Sequence, residues 1–309
     1  MKEYPAVATA KIKTHSTETF RDSYIEPASH LNNLLKPGFG KFFIVPVEEL
    51  IRLIKLPVPP IRSTTHTIIY LTEGEATITV GNEFYKVHKN ECLVVPAGQL
   101  YSFTKHDINK GYLCNFHSEM FTAIGKNMLL KTFEFLNVWG NPHTILPAEI
   151  SIFVKQLFNR MLMEYSKNGL AHSELLQSYL IAFFNELNIA YKPLYNNKQP
   201  ASLQLTNTFR QLLLKHIKNK HLVSEYAALM NISPNHLNKT IKNVTGKSPT
   251  KWIDDTIISE AKVLLYQTDF PIGEIAAEIG ILDPSYFTRL FKKQEGITPL
   301  QFRKMIEMS

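Results

Sequence analysis

The sequence predicts an α+β chain. An N-terminal antiparallel β-domain with a helical hairpin comes first, then an all-α C-terminal domain of two helix-turn-helix units joined by a linker helix. Three observations predict it. Short β-branched and aromatic runs punctuated by turn residues fill 40–117. Apolar residues at helical spacing take over from 147 to 191. The stretch 233–252, SPNHLNKTIKNVTGKSPTKW, returns 50 residues later at 283–302 as DPSYFTRLFKKQEGITPLQF. A repeat of that length, with matched caps, apolar positions and basic positions, means one supersecondary unit used twice.

Residues 1–38 are polar and mixed, end at Lys36-Pro37-Gly38, and read as an arm or edge segment. The β-domain follows over 39–146, with strands in KFFIVPV, HTIIYLT, EATITV, EFYKV, CLVVP, LYSFT and GYLCNFH. Gly74, Gly81-Asn82, Lys89-Asn90, Pro96-Ala97-Gly98 and Asn109-Lys110-Gly111 mark the turns between them. Strands at this spacing form a sandwich or small barrel. Segment 70–103, with Gly74, Gly81, Pro96 and Gly98 at their spacing, resembles a cupin-like domain. The metal site of that family takes two close His, a Glu and a later His. Here His66 stands alone in STTHT, and Tyr101 follows PAGQL where the later His would fall. His88, His106 and His117 are scattered without ligand spacing, so neither a metal nor another cofactor is expected.

Small barrels can instead enclose one small molecule. His66, Tyr70, Tyr101 and Phe103 are the candidate lining residues, with ordinary core packing the competing reading for each. On strand 66–72, His66, Ile68, Tyr70 and Thr72 share one face and Thr67, Ile69 and Leu71 the other. Alternation alone leaves open which face points inward.

Two apolar stripes form the hairpin of 147–191. One runs through Ile150, Phe153, Val154, Leu157, Phe158, Met161 and Leu162, the other through Leu175, Leu176, Tyr179, Leu180, Phe183, Phe184 and Leu187, with Lys167-Asn168-Gly169 between them. They must bury against the β-domain, another subunit, or both. Residues 192–202, KPLYNNKQPAS, read as an interdomain linker.

The C-terminal domain, 203–309, holds the repeat. Ser233-Pro234 and Asp283-Pro284 are helix starts: an oxygen for an orphan N–H, and a proline with no N–H to orphan. Leu237, Ile241 and Val244 face a core in the first copy, and Phe287, Leu290 and Phe291 in the second. The opposite face carries Asn235, Asn238, Lys239 and Lys242, then Ser285, Thr288, Arg289 and Lys292. Gly246 and Gly296 are C-caps. A shorter helix precedes each, in 224–232 and 272–281, completing the helix-turn-helix pattern. The second helix of such a unit enters the major groove of DNA. Asn235, Asn238, Lys239, Ser285, Thr288 and Arg289 are the candidate base readers, because Asn suits adenine and Arg or Lys suits guanine. Lys242, Lys292 and Lys293 are the candidate phosphate contacts. Between the copies, 253–267 has the apolar period of a rigid linker helix.

Residues 203–309 resemble the DNA-binding domain of AraC/XylS-type transcriptional regulators. The segments that carry the resemblance are AKVLL (261–265), IAAEIG (275–280), DPSYFTRLFKKQEGITPLQFR (283–303) and GKSP (246–249). Ile241 and Ile281 replace the usual Phe, and Ile257 stands where an Arg is common. The resemblance implies double-stranded promoter DNA and a small-molecule effector as partners. It also implies a homodimer formed through the hairpin, with RNA polymerase a further candidate partner. Two other readings stand beside it: a constitutive DNA binder with a purely structural N-domain, and a cupin-type enzyme fused to a DNA-binding module.

Charge supports a nucleic-acid partner. The net charge is +7 over 309 residues. Residues 203–253 hold eight basic side chains against one acidic, and 254–309 six against nine. The first copy is therefore expected to supply most of the phosphate attraction. Two cysteines, Cys92 and Cys114, imply no disulfide framework. The opening MKEYPAVATAKIKTHSTETF lacks the apolar core of a secretory signal, and no run is long enough to span a membrane. The expectation is a cytoplasmic protein that is not an enzyme.

Overall fold

In the computed structural model the chain enters its first unit through β1 (Thr14–His15), which lies parallel to Arg62–Ser63. The structure describes residues 14–81, 83–104, 107–121, 126–138, 140–193 and 200–307. They fall into two units, one before and one after residue 194. After β1 come α1 (Thr17–Tyr24), capped by Ser16 Oγ accepting from Thr19 N, and α2 (Leu31–Leu34). Residues 14–38 thus pack into the unit, with β1 at the edge of the sheet. Ile25, Leu34 and Leu35 are buried in the unit's core. Such short helices show too few apolar positions for a period to be read. Residues 1–13 of the expected arm lie outside the described residues.

Next come β2 (Phe42–Pro46), α3 (Val47–Ile51), β3 (Val58–Ser63), β4 (His66–Val80), β5 (Glu83–His88), β6 (Glu91–Val95), β7 (Leu100–Phe103) and β8 (Asn109–Phe116). After α4 (Lys126–Thr132) and β9 (His143–Ile145) the unit ends with the hairpin α5 (Ala148–Asn168) and α6 (Ser173–Ala190). The pairing is antiparallel except between β1 and β3. The 15-residue β4 organises it. Its first half pairs with β6 and β8, its second with β5 and β7, so one strand belongs to two sheets.

Two expected turns are therefore strand. Gly74 lies inside β4, where the pairing with β8 shifts register between Leu71 and Glu73. Its φ is +75°, and a Cβ there would stand 2.1 Å from Ile108 O, so the residue bends the strand without ending it. Asn109-Lys110-Gly111 opens β8, opposite Gly74, Glu73 and Leu71.

Both faces of β4 are buried. Ile68 and Tyr70 join Phe42, Ile44 and Phe116 against the helical hairpin, where Val154, Phe158, Met161, Leu180, Phe183 and Phe184 are fully buried. Ile69, Leu71, Ile78 and Val80 pack with Val87, Leu93 and Val95 in a second cluster between the sheets. The hairpin turn is tied by one carboxylate. Glu164 accepts from Asn168 Nδ2 at 2.6 Å, His172 Nδ1 at 2.7 Å and Arg160 Nη2 at 2.9 Å. Those hydrogen bonds, Asn168's first, hold its pKa down at about 2. Phe153, expected within the buried stripe, is exposed with Ile152, Met163 and Ile189.

The second unit is all helix: α7 (Pro200–His216), α8 (Val223–Leu229), α9 (Pro234–Thr245), α10 (Pro249–Gln267), α11 (Ile272–Glu278), α12 (Pro284–Glu295) and α13 (Pro299–Glu307). The expected linker thus already turns helical at Pro200; its residues 194–199 lie outside the described set. A single core gathers Phe209, Leu213, Tyr226, Leu237, Ile241, Ile257, Ala261, Leu264, Ile275, Phe287 and Phe291. Ile241, Ile257 and Ile281 are all buried, so the departures from the family pattern are core residues here. The 19 residues of α10 give a spacer about 28 Å long. Among the described residues no helix is long and apolar enough to cross a membrane.

Candidate nucleic-acid interface and interior cavity

Helices α9 and α12 start and stop as their sequences dictate. Ser233 Oγ accepts from His236 N at 3.2 Å, Asp283 Oδ1 from Ser285 N at 2.8 Å, and Pro occupies the first helical position of each. Gly246 and Gly296 close them in the left-handed region at φ +72° and +79°. One face of each is anchored: Leu237, Ile241 and Val244 in α9, and Phe287, Leu290 and Phe291 in α12, are buried. That anchoring turns the remaining face outward.

Asn235, Asn238, Lys239 and Lys242 are exposed on α9, as are Ser285, Arg289, Lys292 and Lys293 on α12. Thr288 is half-buried, and its hydroxyl donates to Pro284 O at 2.9 Å, leaving only the oxygen's remaining lone pair for a partner. Arg289 stands 4.0 Å from Asp283, with both side chains largely in solvent. Lys239, Lys242 and Lys292 form no ion pair among the described residues, whereas Lys247 and Lys251 are drawn to Asp255 on α10. Lys251 also reaches Gln294, and Lys262 pairs with Glu295 at 2.7 Å, tying α10 to α12. His236 and Tyr286, absent from the sequence candidates, are exposed in the first turns of α9 and α12. Their positions off the apolar stripe were the available signal.

The two copies differ at the turn. Asn231 and Gly280, at φ +53° and +83°, are the equivalent turn residues. They lie one residue closer together in sequence than the helices they precede, so the second copy carries one extra residue, Leu282, which is 94% exposed. The second turn is also docked. A Cβ on Gly280 would stand 2.0 Å from Lys218 O, in the connection between α7 and α8. His221 Nε2 donates to Ile279 O at 3.0 Å. Glu225 Oε2 accepts from His221 N and Leu222 N, each at 2.9 Å, which fixes that connection, and these backbone bonds hold its carboxyl below the usual range. The two helix-turn-helix units are therefore joined twice, by α10 and by this contact.

In the first unit a cavity of about 100 Å³ lies beneath α1 and α3, between the sheets. Tyr101 and Phe103 line it, as the sequence candidates had it. His66 and Tyr70 do not. His66 stacks on Phe116 at 4.8 Å; its Nδ1 accepts from Ala97 N at 3.3 Å, so Nε2 carries the proton toward Ser118 Oγ at 3.0 Å. Tyr70 stacks on Phe158 at 5.5 Å and donates to Ser151 O at 3.1 Å. Both are core residues on the hairpin side of β4. It is the opposite face, Thr67 and Ile69, that opens on the cavity. Its wall also includes Phe20, Phe43, Ile54, Ile78, Asn109 and Asn115. His106 lies outside the described residues.

Comparison with known proteins gives a consistent set. A family model described as a helix-turn-helix domain matches residues 226–305. Over 254 residues the chain is 26% identical to the uncharacterized HTH-type transcriptional regulator YisR of Bacillus subtilis, spanning 77% of this chain and 85% of that protein. It is 28% identical over 130 residues to the arabinose operon regulatory protein of Escherichia coli, 42% of each chain. Among solved structures, the C-terminal domain of AraT, a response regulator from Geobacillus stearothermophilus, is 31% identical. That similarity covers 36% of this chain and 88% of that one, with a TM-score of 0.33.

Proposed function

We propose that the chain is an AraC/XylS-type, DNA-binding transcriptional regulator and that α9 and α12 are its two base-reading helices. The observation that carries this is their shared construction: one face locked into a common core, the other left polar, exposed and capped. Asn235, Asn238 and Lys239 read the first groove, and Ser285, Arg289 and the Thr288 oxygen the second. Lys242, Lys292 and Lys293 hold phosphates. His236 and Tyr286 join the contact set from their exposure in the same first turns. Phosphate contacts position a protein on the duplex and base contacts specify its site. The first copy lies in the more basic segment and gives the greater electrostatic grip.

The interior cavity is the place for a small molecule that modulates DNA binding. Tyr101 and Phe103 are retained as its lining, and Thr67 and Ile69 replace His66 and Tyr70. A homodimer through the hairpin is supported by Ile152, Phe153, Met163 and Ile189, apolar and exposed on α5 and α6.

The test is a pair of variants measured against duplexes recovered by selection from a randomised pool. Arg289→Ala should relax preference at one base pair, losing about 1–3 kcal/mol of discrimination there. Lys292→Ala should weaken all sequences alike and lower the salt slope by about 1. Equal weakening of selected and random DNA by both variants refutes the division of roles.

A further inference from the structure

We propose that Leu282 is a further base-reading residue, whose side chain packs against the C5-methyl group of a thymine in the major groove that α12 enters. The inference rests on the base-reading assignment of α9 and α12 above and adds an apolar contact to it. Leu282 is 94% exposed, although it stands between Ile281, which is buried, and Asp283, which caps α12. A single exposed leucine is ordinary on a protein surface. The place of this one in the helix-turn-helix unit gives it meaning.

The two copies, set side by side, show that the fold has no use for it. Both turns close with the same bond: Ile232 N donates to Ala227 O at 3.0 Å, and Ile281 N to Ala276 O at 2.8 Å. In the first copy Ser233, the cap of α9, follows at once. In the second Leu282 intervenes before Asp283. An apolar residue just ahead of a helix cap ordinarily packs on the fourth residue of the helix and fixes the entry of the chain. Ile232 holds that place in the first copy, packed against the core that buries Leu237, the fourth residue of α9. In the second copy the fourth residue is Phe287, also fully buried, and it is Ile281 that lies in the core with it. Leu282 takes no part in that packing and lies in solvent.

Its position supplies the partner. The first turn of a reading helix carries the side chains that meet base edges. Leu282 adjoins that turn in α12, followed by Ser285, Tyr286 and Arg289, all exposed. Ser285 and Arg289 address hydrogen-bonding edges. A leucine side chain neither donates nor accepts a hydrogen bond, so phosphates and those edges offer it nothing. What marks thymine in the major groove is its methyl group, and an apolar side chain is the fitting contact for it. The isobutyl group of Leu282 is free to make that contact without disturbing any packing of the fold.

Uracil tests this directly, because it removes the methyl and keeps every hydrogen-bonding group of thymine. Each thymine of a selected duplex is replaced in turn by uracil, and binding of the full chain is followed by fluorescence anisotropy. At one thymine the replacement should weaken binding about fourfold, the equivalent of one buried methyl group. Leu282→Ser should bind the thymine duplex weaker by about the same factor and lose the uracil penalty at that position alone, whereas Leu282→Met should keep it. The salt slope should stay unchanged in Leu282→Ser, since no phosphate contact is removed. Thermal unfolding should not move, as the side chain packs on nothing. A uracil penalty that no substitution of Leu282 alters, or no penalty at any thymine, overturns the proposal. So does a Leu282→Ser chain that keeps the thymine profile but fails to support transcription by RNA polymerase, which would assign the leucine to a protein partner. A randomised pool that yields no preferred duplex refutes the base-reading assignment itself. A preferred duplex with a flat uracil scan removes the role of Leu282 and leaves that assignment standing.

Discussion

Replacing Gly280 with alanine asks whether the second helix-turn-helix unit is held by more than its linker helix. The backbone at Gly280 has φ +83°, a region that costs an L-residue roughly 1–2 kcal/mol. A methyl group there would also meet Lys218 O at 2.0 Å, His221 Cε1 at 2.9 Å and Lys218 C at 2.9 Å. All three belong to backbone or to a ring held by its own hydrogen bond, so the connection between α7 and α8 has to move. That displacement adds about 1–3 kcal/mol, and the lost bond from His221 to Ile279 O about 1 kcal/mol more. The total is about 3–6 kcal/mol, a large part of a small domain's stability. Gly246→Ala and Gly296→Ala are the controls. Their φ values are similar, +72° and +79°, but an added Cβ meets nothing within 4 Å, so only the backbone strain remains. Thermal unfolding of the full chain, followed through the transition of the helical unit, should show the controls losing roughly 5–15 °C. Gly280→Ala should lose at least twice that, and DNA affinity should fall even well below the transition. If Gly280→Ala unfolds within ~3 °C of Gly296→Ala, the docking of Lys218 and His221 contributes nothing and the two readers are joined by α10 alone.

Two further outcomes test the first unit. Tyr70→Phe removes the hydrogen bond to Ser151 O and should cost about 1 kcal/mol in urea unfolding, while binding of any cavity ligand stays unchanged; a lost ligand response would return Tyr70 to the cavity wall. Glu164 is held at about pKa 2 against an ordinary 4.5, so between those values the unfolded chain binds the extra proton. Its contribution is complete at neutral pH and is lost as pH falls through that window. Glu164→Gln should therefore flatten the acid limb of the stability profile, and an unchanged limb would show that Asn168, His172 and Arg160 do not hold the ionised form.

The C-terminal unit was readable because its signals are local. Ser233-Pro234, Asp283-Pro284, Gly246 and Gly296 act within one helical turn of where they stand, and the structure uses each as the sequence suggests. The outward faces of α9 and α12 follow from 3.6-residue periodicity once the apolar stripe is known. What escaped there was the docking of Gly280 on Lys218, a contact between residues 62 apart in sequence. The β-unit was harder. Residues 14–38 place their few buried side chains on elements too short to show a period. Gly74 and Asn109-Lys110-Gly111 have the composition of turns, yet they are strand, because β8 runs against the bend in β4 at that point.

By itself the sequence determined the division into a β-rich unit with a helical hairpin and a duplicated helical reader, and the polar residues that reader presents. Only the tertiary structure decided which side of β4 is which. Alternation sorts His66, Ile68 and Tyr70 from Thr67, Ile69 and Leu71, but it identifies the inner face only when the other is wet. Here the hairpin covers one face and the opposing sheet the other, so both read as apolar. The cavity lies on the side that no pattern within the strand could name.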